Sequence, residues 1–215
     1  MSQLCVIFDL DGTLVDSESL CNKAFIDLLP ELSEPVHSLV ARYRGWKLSS
    51  ILADLARRIE TTLPSSFEAT YREHVAALFA SELRAIPGVH EMLSGLNRIC
   101  CVASSGPPAK IRQALLVSGL ASFFDDRLFS SYEVGSWKPE PELFLHAADA
   151  LGFSPRQCIV VEDSDAGVVA ARAANMKCFQ YLGDIEADSH PSAASFSHMS
   201  ELLPLIDAYE RGRET

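Results

Sequence analysis

Short apolar runs, each ending in polar or glycine residues, recur along the chain and predict buried strands. They cover residues 5–8, 99–103, 126–129, 158–161 and 177–182. Apolar residues at helical spacing lie between the later runs, over residues 108–117, 141–151 and 166–174. Because strands that alternate with helices form a parallel sheet covered on both faces, the pattern predicts a doubly wound α/β core.

Residues 16–85 interrupt this alternation, because they show helical periodicity and no strand-like run. Up to four amphipathic helices fit into this segment. The core pattern resumes near Ile86. We therefore expect a helical cap domain over residues 16–85, inserted into an α/β core made of residues 1–15 and 86–215.

Composition then restricts the classes of function. The 215 residues carry a formal net charge of −11, which argues against binding nucleic acid or an anionic membrane surface. No apolar stretch approaches the roughly 18 residues of a membrane span, and the N-terminus lacks a basic, signal-like start. The six cysteines include no C-x-x-C pair, which is typical of small core residues in a reducing compartment. We expect a cytoplasmic protein, with no protein partner implied.

Two aspartates, Asp9 and Asp11, follow the first predicted strand. In open α/β sheets, ligands bind beyond the carboxyl ends of the strands, so both side chains are expected in a ligand crevice. Two carboxylates at this spacing suit Mg²⁺, and they suit a nucleophile working with an acid/base group. Taken alone, the pair also fits a strand that ends in a solvated Asp-Gly turn.

Further polar groups follow the later strands at the same predicted edge. Ser104 ends the second run, Lys138 follows the third, and Glu162 and Asp163 follow the fourth. Each has an ordinary explanation, since Ser104 and Asp163 could cap helices and Lys138 could lie in a solvated turn. Their joint occurrence at strand ends favours a single catalytic site.

The motifs together resemble the haloacid dehalogenase superfamily of phosphotransferases. They occur in the order typical of that superfamily: an apolar run ending in D-x-D-G-T, a motif serine, Lys-Pro, and an acidic pair in V-V-E-D-S-D-A-G. The resemblance covers the whole chain, because the helical insert is similar to the small cap of the β-phosphoglucomutase-like branch. Three stretches, residues 42–48, 78–86 and 129–141, resemble the subgroup of bacterial 6-phosphogluconate phosphatases.

This resemblance implies a mechanism for the acidic residues. Asp9 would be the nucleophile that forms an aspartyl-phosphate, and Asp11 the general acid and base. Mg²⁺ would be held by the carboxylates of Asp9 and Asp163 and by the main-chain carbonyl of Asp11, with Glu162 supporting these ligands. Lys138 would offset negative charge on Asp9 and on the transferring group.

The resemblance also implies residues that bind the substrate. Ser104 and the loop at Ser105 would hold phosphoryl oxygens, although the subgroup usually has asparagine in place of Ser105. A main-chain N–H contact survives that difference, whereas a side-chain contact does not.

A basic segment in the predicted cap supplies further candidates: Arg44, Gly45, Trp46 and Lys47. The corresponding segment faces the active site in similar capped phosphatases, and its cations suit a substrate with a second anionic group. The alternative is a helix C-terminus whose basic residues complement the helix dipole.

We therefore expect a Mg²⁺-dependent phosphatase of a small phosphorylated sugar acid or sugar, with 6-phosphogluconate as the best candidate. One alternative is a phosphomutase of the β-phosphoglucomutase kind, which uses the same aspartate pair. Another is a non-catalytic phospho-switch domain, against which the inserted cap and the second aspartate argue. A dehalogenase is a further alternative, although that chemistry needs neither a metal nor Asp11.

Overall fold

The computed structural model describes residues 4–44, 46–183, 190–191 and 193–213. Its centre is a six-stranded, all-parallel sheet with the strand order β3-β2-β1-β4-β5-β6. The strands are β1 Cys5–Phe8, β2 Ile99–Ser104, β3 Leu128–Ser130, β4 Cys158–Glu162, β5 Lys177–Tyr181 and β6 Ala194–Phe196. The predicted doubly wound α/β core is therefore confirmed.

Helices surround this sheet and extend beyond it. They are α1 Glu18–Leu28, α2 Val36–Tyr43, α3 Leu48–Arg58, α4 Phe67–Glu82, α5 Val89–Gly95, α6 Pro108–Val117, α7 Ala121–Phe124, α8 Ser131–Val134, α9 Glu142–Ala150, α10 Asp165–Ala173 and α11 Leu202–Arg213. Short 3-10 helices lie at Pro155–Gln157 and Met199–Glu201. Among the described residues, no helix is both long enough and apolar enough to cross a membrane.

The central strand β1 divides the core into two layers. Side chains of successive strand residues point to opposite faces, so Val6 and Phe8 pack with α5, α6 and α11. Cys5 and Ile7 pack on the other face with α9 and α10. Burial on both faces explains why the strand has an unbroken apolar sequence. The position of β1 between β2 and β4 places residue 9 near the centre of the carboxyl edge of the sheet.

The fold contains the predicted helical insert, which consists of α1–α4 and lies between β1 and α5. Where the chain leaves and re-enters the core, its two segments run side by side. Asp16 N donates to Arg84 O at 3.1 Å, and Ile86 N donates to Leu14 O at 3.0 Å. These hydrogen bonds agree with a cap joined to the core by two adjacent connections. The boundaries 16–85 stay a prediction.

The third and last strands differ from the sequence pattern. Strand β3 begins at Leu128, because a turn at Asp125 and Asp126 precedes it; Arg127 lies between the turn and the strand and donates through Nε to Cys100 O at 2.8 Å. Strand β6 pairs in parallel with β5 at the edge of the sheet but has only three residues. An edge strand this short leaves no apolar run in the sequence.

All six cysteines are free thiols.

Candidate active site

Asp9 and Lys138 form a buried ion pair at the centre of the carboxyl edge. Strand pairing fixes the backbone of Asp9, whose N–H donates to Val161 O at 2.9 Å. Lys138 Nζ donates both to Asp9 Oδ1 and, at 2.6 Å, to Glu162 Oε1. Only 7% of Lys138 and 6% of Asp9 is exposed, so little solvent screens this pair.

Glu162 is held through both of its carboxylate oxygens. Oε1 accepts the bond from Lys138, while Oε2 accepts from Ser164 N at 2.7 Å and from Ser164 Oγ at 2.9 Å. A Cβ on Gly167 would lie 1.9 Å from Glu162 Cδ, so this approach of α10 requires glycine. Glu162 therefore orients Lys138 through one oxygen, while Ser164 anchors its other oxygen.

Asp163 keeps one oxygen without a hydrogen bond. Thr13 Oγ1 donates to its Oδ1 at 3.2 Å, but buried Oδ2 accepts no hydrogen bond from the described residues. Arg44 Nε lies 3.2 Å from Oδ2 as an ion-pair contact without hydrogen-bond geometry. Gly12 has φ +81°, and a Cβ there would lie 2.5 Å from Oδ2. The backbone turn after β1 therefore leaves space around this oxygen.

The buried carboxylates perturb one another electrostatically. Ligand atoms of Asp9, Glu162 and Asp163 lie within 4.8 Å of one another. Burial raises the pKa of Asp9 to about 7, although the contact with Lys138 acts in the opposite direction. Burial and the charge of Glu162 raise the pKa of Asp163 well above its usual range. A crowded set of hard oxygen donors, one without a hydrogen bond, fits a divalent cation such as Mg²⁺.

Asp11 lies beside this cluster and has its own cation. Lys110 Nζ donates to Asp11 Oδ1 at 2.7 Å, and Ser17 Oγ donates to the same oxygen. Burial acts to raise the pKa of Asp11, but Lys110 and Ser17 outweigh burial and lower it. We did not predict Lys110 or Ser17 as site residues. A weak signal exists for Lys110, since it lies in the first turn of the helix that follows Ser104.

The loop after β2 brings Ser104 next to Asp11. Ser104 is fully buried, and its Oγ accepts from Gly106 N at 3.0 Å and lies 3.5 Å from Asp11 Oδ2. Ser105 follows as an exposed residue of the cavity lining. The predicted motif residues therefore meet in one place, as expected for strand ends at one edge of a sheet.

A cavity of about 630 Å³ separates α1–α4 from this edge, and Asp9, Asp11 and Lys138 line its floor. Two of the predicted cap residues, Trp46 and Lys47, line its rim. Lys47 Nζ lies 5.0 Å from the ring centroid of Trp137. The cap therefore meets the core through a cation–π contact at this rim.

The remaining predicted cap residues have different positions. Arg44 turns toward Glu18, 3.4 Å from Nε to Oε2, and toward Asp163. Its charge is therefore compensated by two carboxylates. The predicted residue Gly45 lies outside the described residues.

Comparisons with known proteins agree with this geometry. A family model described as haloacid dehalogenase-like hydrolase matches residues 4–175. The chain is 37% identical over 208 residues to 6-phosphogluconate phosphatase of Escherichia coli (strain K12), with 94% of each protein covered.

Solved structures give the same result. A haloacid dehalogenase-like protein of unknown function from Agrobacterium tumefaciens is similar with a TM-score of 0.84 and 29% identity, over 97% of this chain and all of the other. A putative beta-phosphoglucomutase from Thermotoga maritima has a TM-score of 0.77 and 25% identity, over 96% of this chain and 99% of the other.

Proposed function

We propose that the chain, which belongs to the haloacid dehalogenase-like hydrolase family, is a Mg²⁺-dependent phosphatase of a small phosphorylated sugar acid or sugar. Family membership confirms the resemblance that the motifs indicate, and the phosphatase relative confirms the expected class, a phosphoric monoester hydrolase. The observation that carries the finer proposal is the buried contact of Lys138 with Asp9, beside the oxygen of Asp163 that lacks a hydrogen bond.

Asp9 is the proposed nucleophile. Its carboxylate attacks phosphorus in line, the P–O bond to the leaving alcohol breaks, and an aspartyl-phosphate forms on Asp9. Lys138 supports this step, because its ammonium group contacts Asp9 Oδ1 and can offset charge on the transferring group. Glu162 keeps Lys138 in position through the 2.6 Å bond between Nζ and Oε1.

Asp11 is the proposed general acid and base. It protonates the leaving oxygen and then deprotonates the water that hydrolyses the aspartyl-phosphate. Lys110 holds Asp11 ionised in the structure, at 2.7 Å from Oδ1. A phosphate ester that enters the cavity brings negative charge near Lys110, which weakens its hold on Asp11 and raises the pKa of Asp11 for the acid step.

The proposed Mg²⁺ ligands are the carboxylates of Asp9 and Asp163 and the main-chain carbonyl of Asp11. The fit rests on Asp163 Oδ2, which is buried and accepts no hydrogen bond from the described residues. Glu162 is proposed to support the ligands, because both of its oxygens already accept hydrogen bonds. When bound, the cation supplies the positive charge that offsets repulsion between Asp9 and the phosphate.

The cavity supports a substrate of sugar size. Its volume of about 630 Å³ lies within the range of small-molecule sites. Lys47 at the rim adds a positive charge for a second anionic group, which favours a sugar-acid phosphate. The similarity to 6-phosphogluconate phosphatase makes 6-phosphogluconate the first substrate to test.

A phosphate-release screen over phosphorylated metabolites, with Mg²⁺ or with excess EDTA, tests the proposal. We expect turnover only with Mg²⁺ and faster turnover of 6-phosphogluconate than of neutral sugar phosphates. Asp9→Asn should abolish turnover, whereas the matched Asp16→Asn, at an exposed side chain outside the cavity lining, should not. Phosphate release by Asp9→Asn, or full activity in EDTA, would reject the mechanism.

A phosphomutase is the second candidate, favoured by the likeness to the putative beta-phosphoglucomutase. Both functions begin with the same attack by Asp9 and differ in whether water or a sugar receives the phosphoryl group. Incubation with β-glucose 1-phosphate and the matching bisphosphate separates them. Isomerisation without phosphate release would establish the mutase.

A further inference from the structure

Asn22 carries a buried oxygen that no group of the described residues satisfies. It lies on α1, is 7% exposed and lines the cavity. Its Nδ2 donates to Glu18 O at 2.9 Å. Because a carbonyl oxygen accepts only from a donor, this bond fixes the orientation of the amide. The atom left without a partner is therefore Oδ1.

Donors on the cavity wall are already engaged elsewhere. Tyr71 Oη donates to Cys21 O at 3.3 Å, and Gln113 Nε2 donates to Ala76 O at 2.8 Å. Lys110 donates to Asp11 at 2.7 Å. None of these side chains donates a hydrogen bond to Asn22 Oδ1, which stays an unpartnered acceptor of a residue that lines the cavity.

The neighbourhood of Asn22 makes an amide costly without a ligand. Phe25 and Tyr71 stack with ring centroids 4.3 Å apart, and Val75 and Phe79 continue an apolar wall beside them. A leucine of similar size would fit such a wall without leaving an acceptor unsatisfied. The unpaired Oδ1 is therefore a cost that a hydrogen-bond donor in the cavity would remove.

We propose that Asn22 selects the leaving group by accepting a hydrogen bond from one of its hydroxyl groups. This inference rests on the proposed phosphatase function, because the cavity joins Asn22 to the floor at Asp9 where the phosphate would react. A polyhydroxylated leaving group supplies the missing donor, whereas a hydrocarbon leaving group leaves Oδ1 buried and unpaired. The bond therefore discriminates in favour of sugar and polyol phosphates.

The test compares two substrates with the same six-carbon chain and no second charge: sorbitol 6-phosphate and n-hexyl phosphate. The measured quantity is the ratio of their kcat/KM values. We expect the wild-type ratio to favour sorbitol 6-phosphate and Asn22→Leu to lower it about tenfold or more. The matched control is Lys23→Leu, since Lys23 is the next residue of α1, pairs with Asp27 at 3.1 Å and lies outside the cavity lining. It should leave the ratio unchanged.

The ratio separates recognition from damage to the helix. Loss of the bond from Nδ2 to Glu18 lowers kcat/KM for both substrates alike, so an unchanged ratio in Asn22→Leu would overturn the inference. If Asn22→Leu does not fold, Asn22→Ala is measured in the same way with the same expectation. If the wild-type enzyme hydrolyses none of the three compounds, sorbitol 6-phosphate, n-hexyl phosphate and 6-phosphogluconate, the phosphatase proposal itself is rejected.

Discussion

Arg44 Nε lies 3.2 Å from Asp163 Oδ2, so a cation from the cap contacts the buried carboxylate oxygen that accepts no hydrogen bond. Glu18 is the second partner of the same guanidinium, at 3.4 Å. Burial raises the pKa of Glu18 to about 7, although the charge of Arg44 acts in the opposite direction. Since Asp163 is a proposed Mg²⁺ ligand, Arg44 and the metal would compete for one oxygen.

Competition of this kind predicts that Arg44→Ala binds Mg²⁺ more tightly than the wild-type protein does when no substrate is present. We expect about a three- to tenfold lower Kd, because the change removes a positive charge next to a ligand oxygen. Isothermal titration calorimetry of the substrate-free protein measures it. Arg42→Ala is the control for the general electrostatic field, since Arg42 is an exposed cation at the end of α2, two residues before Arg44. An unchanged or weaker affinity in Arg44→Ala would contradict the competition.

Mg²⁺ binding should release protons. Burial raises the pKa of Asp9 to about 7, so this carboxyl group is partly protonated near neutral pH, and burial also raises the pKa of Asp163 well above its usual range. Protons and Mg²⁺ compete for the same oxygens, and we expect the affinity to fall between pH 8 and pH 6. Calorimetry in two buffers of different ionisation enthalpy counts the released protons. A heat that does not depend on the buffer would contradict the expectation.

The same pKa values predict the effect on stability. When folding raises the pKa of a carboxyl group, the folded state binds its proton more tightly than the unfolded state does. Stability is therefore lost as the pH rises above the pKa of that group in the unfolded chain. Without Mg²⁺, the Tm should therefore rise as the pH falls from 8 to 6. Added Mg²⁺ should raise the Tm more at pH 8 than at pH 6, which a thermal melt measures.

Replacement of Lys110 tests its role beside Asp11. Lys110→Met removes the cation 2.7 Å from Asp11 Oδ1 and frees the carboxylate to move. We expect kcat/KM for a sugar phosphate to fall about ten- to a hundredfold, because its leaving oxygen needs the proton of Asp11. The loss should be smaller for p-nitrophenyl phosphate, whose leaving group needs no proton. Lys177→Met is the control, because Lys177 is the first residue of β5 and lies at the end of the strand away from the active site. Equal losses of kcat/KM for both substrates in Lys110→Met would show that Lys110 has a structural role only.

The close approach of α10 to Glu162 gives a stability test. Gly167→Ala would place a Cβ 1.9 Å from Glu162 Cδ and displace the carboxylate that orients Lys138. We expect the free energy of unfolding to fall by about 2 kcal/mol, together with a loss of activity. Urea denaturation measures the first effect. At Gly212 the same substitution meets no atom within 4 Å, so Gly212→Ala should not destabilise the protein.

Sequence reasoning works well for residues whose position follows from a local pattern. Asp9, Ser104 and Glu162 each end or directly follow a buried apolar run, and the order of the strands then brings the runs to one edge. The α/β core and the helical insert follow from periodicity in the same way. The catalytic and binding roles that we assign to these residues stay predictions.

Side-chain contacts that depend on tertiary packing are much harder to predict from the sequence. The position of Lys110 in the first turn of the helix after Ser104 is only a weak signal for its contact with Asp11, and nothing near Asn22 in the sequence shows that its amide is buried. Arg44 was predicted to face the substrate, but its contacts with Glu18 and Asp163 depend on how the cap packs on the core. The edge strand β6 has only three residues and leaves no periodicity to detect.

The two chain crossings between core and insert are hydrogen-bonded to each other, with Asp16 N 3.1 Å from Arg84 O. A tight turn could thus join residue 15 directly to residue 85 and close the core without the helices. The proposed reacting groups Asp9, Asp11 and Lys138 all belong to the part that remains, whereas Asn22 and Lys47 belong to the part removed. With the roles proposed above, exchange of the insert between related enzymes would change substrate preference, and the new insert would also have to supply the contacts that Ser17 and Arg44 make with Asp11 and Asp163.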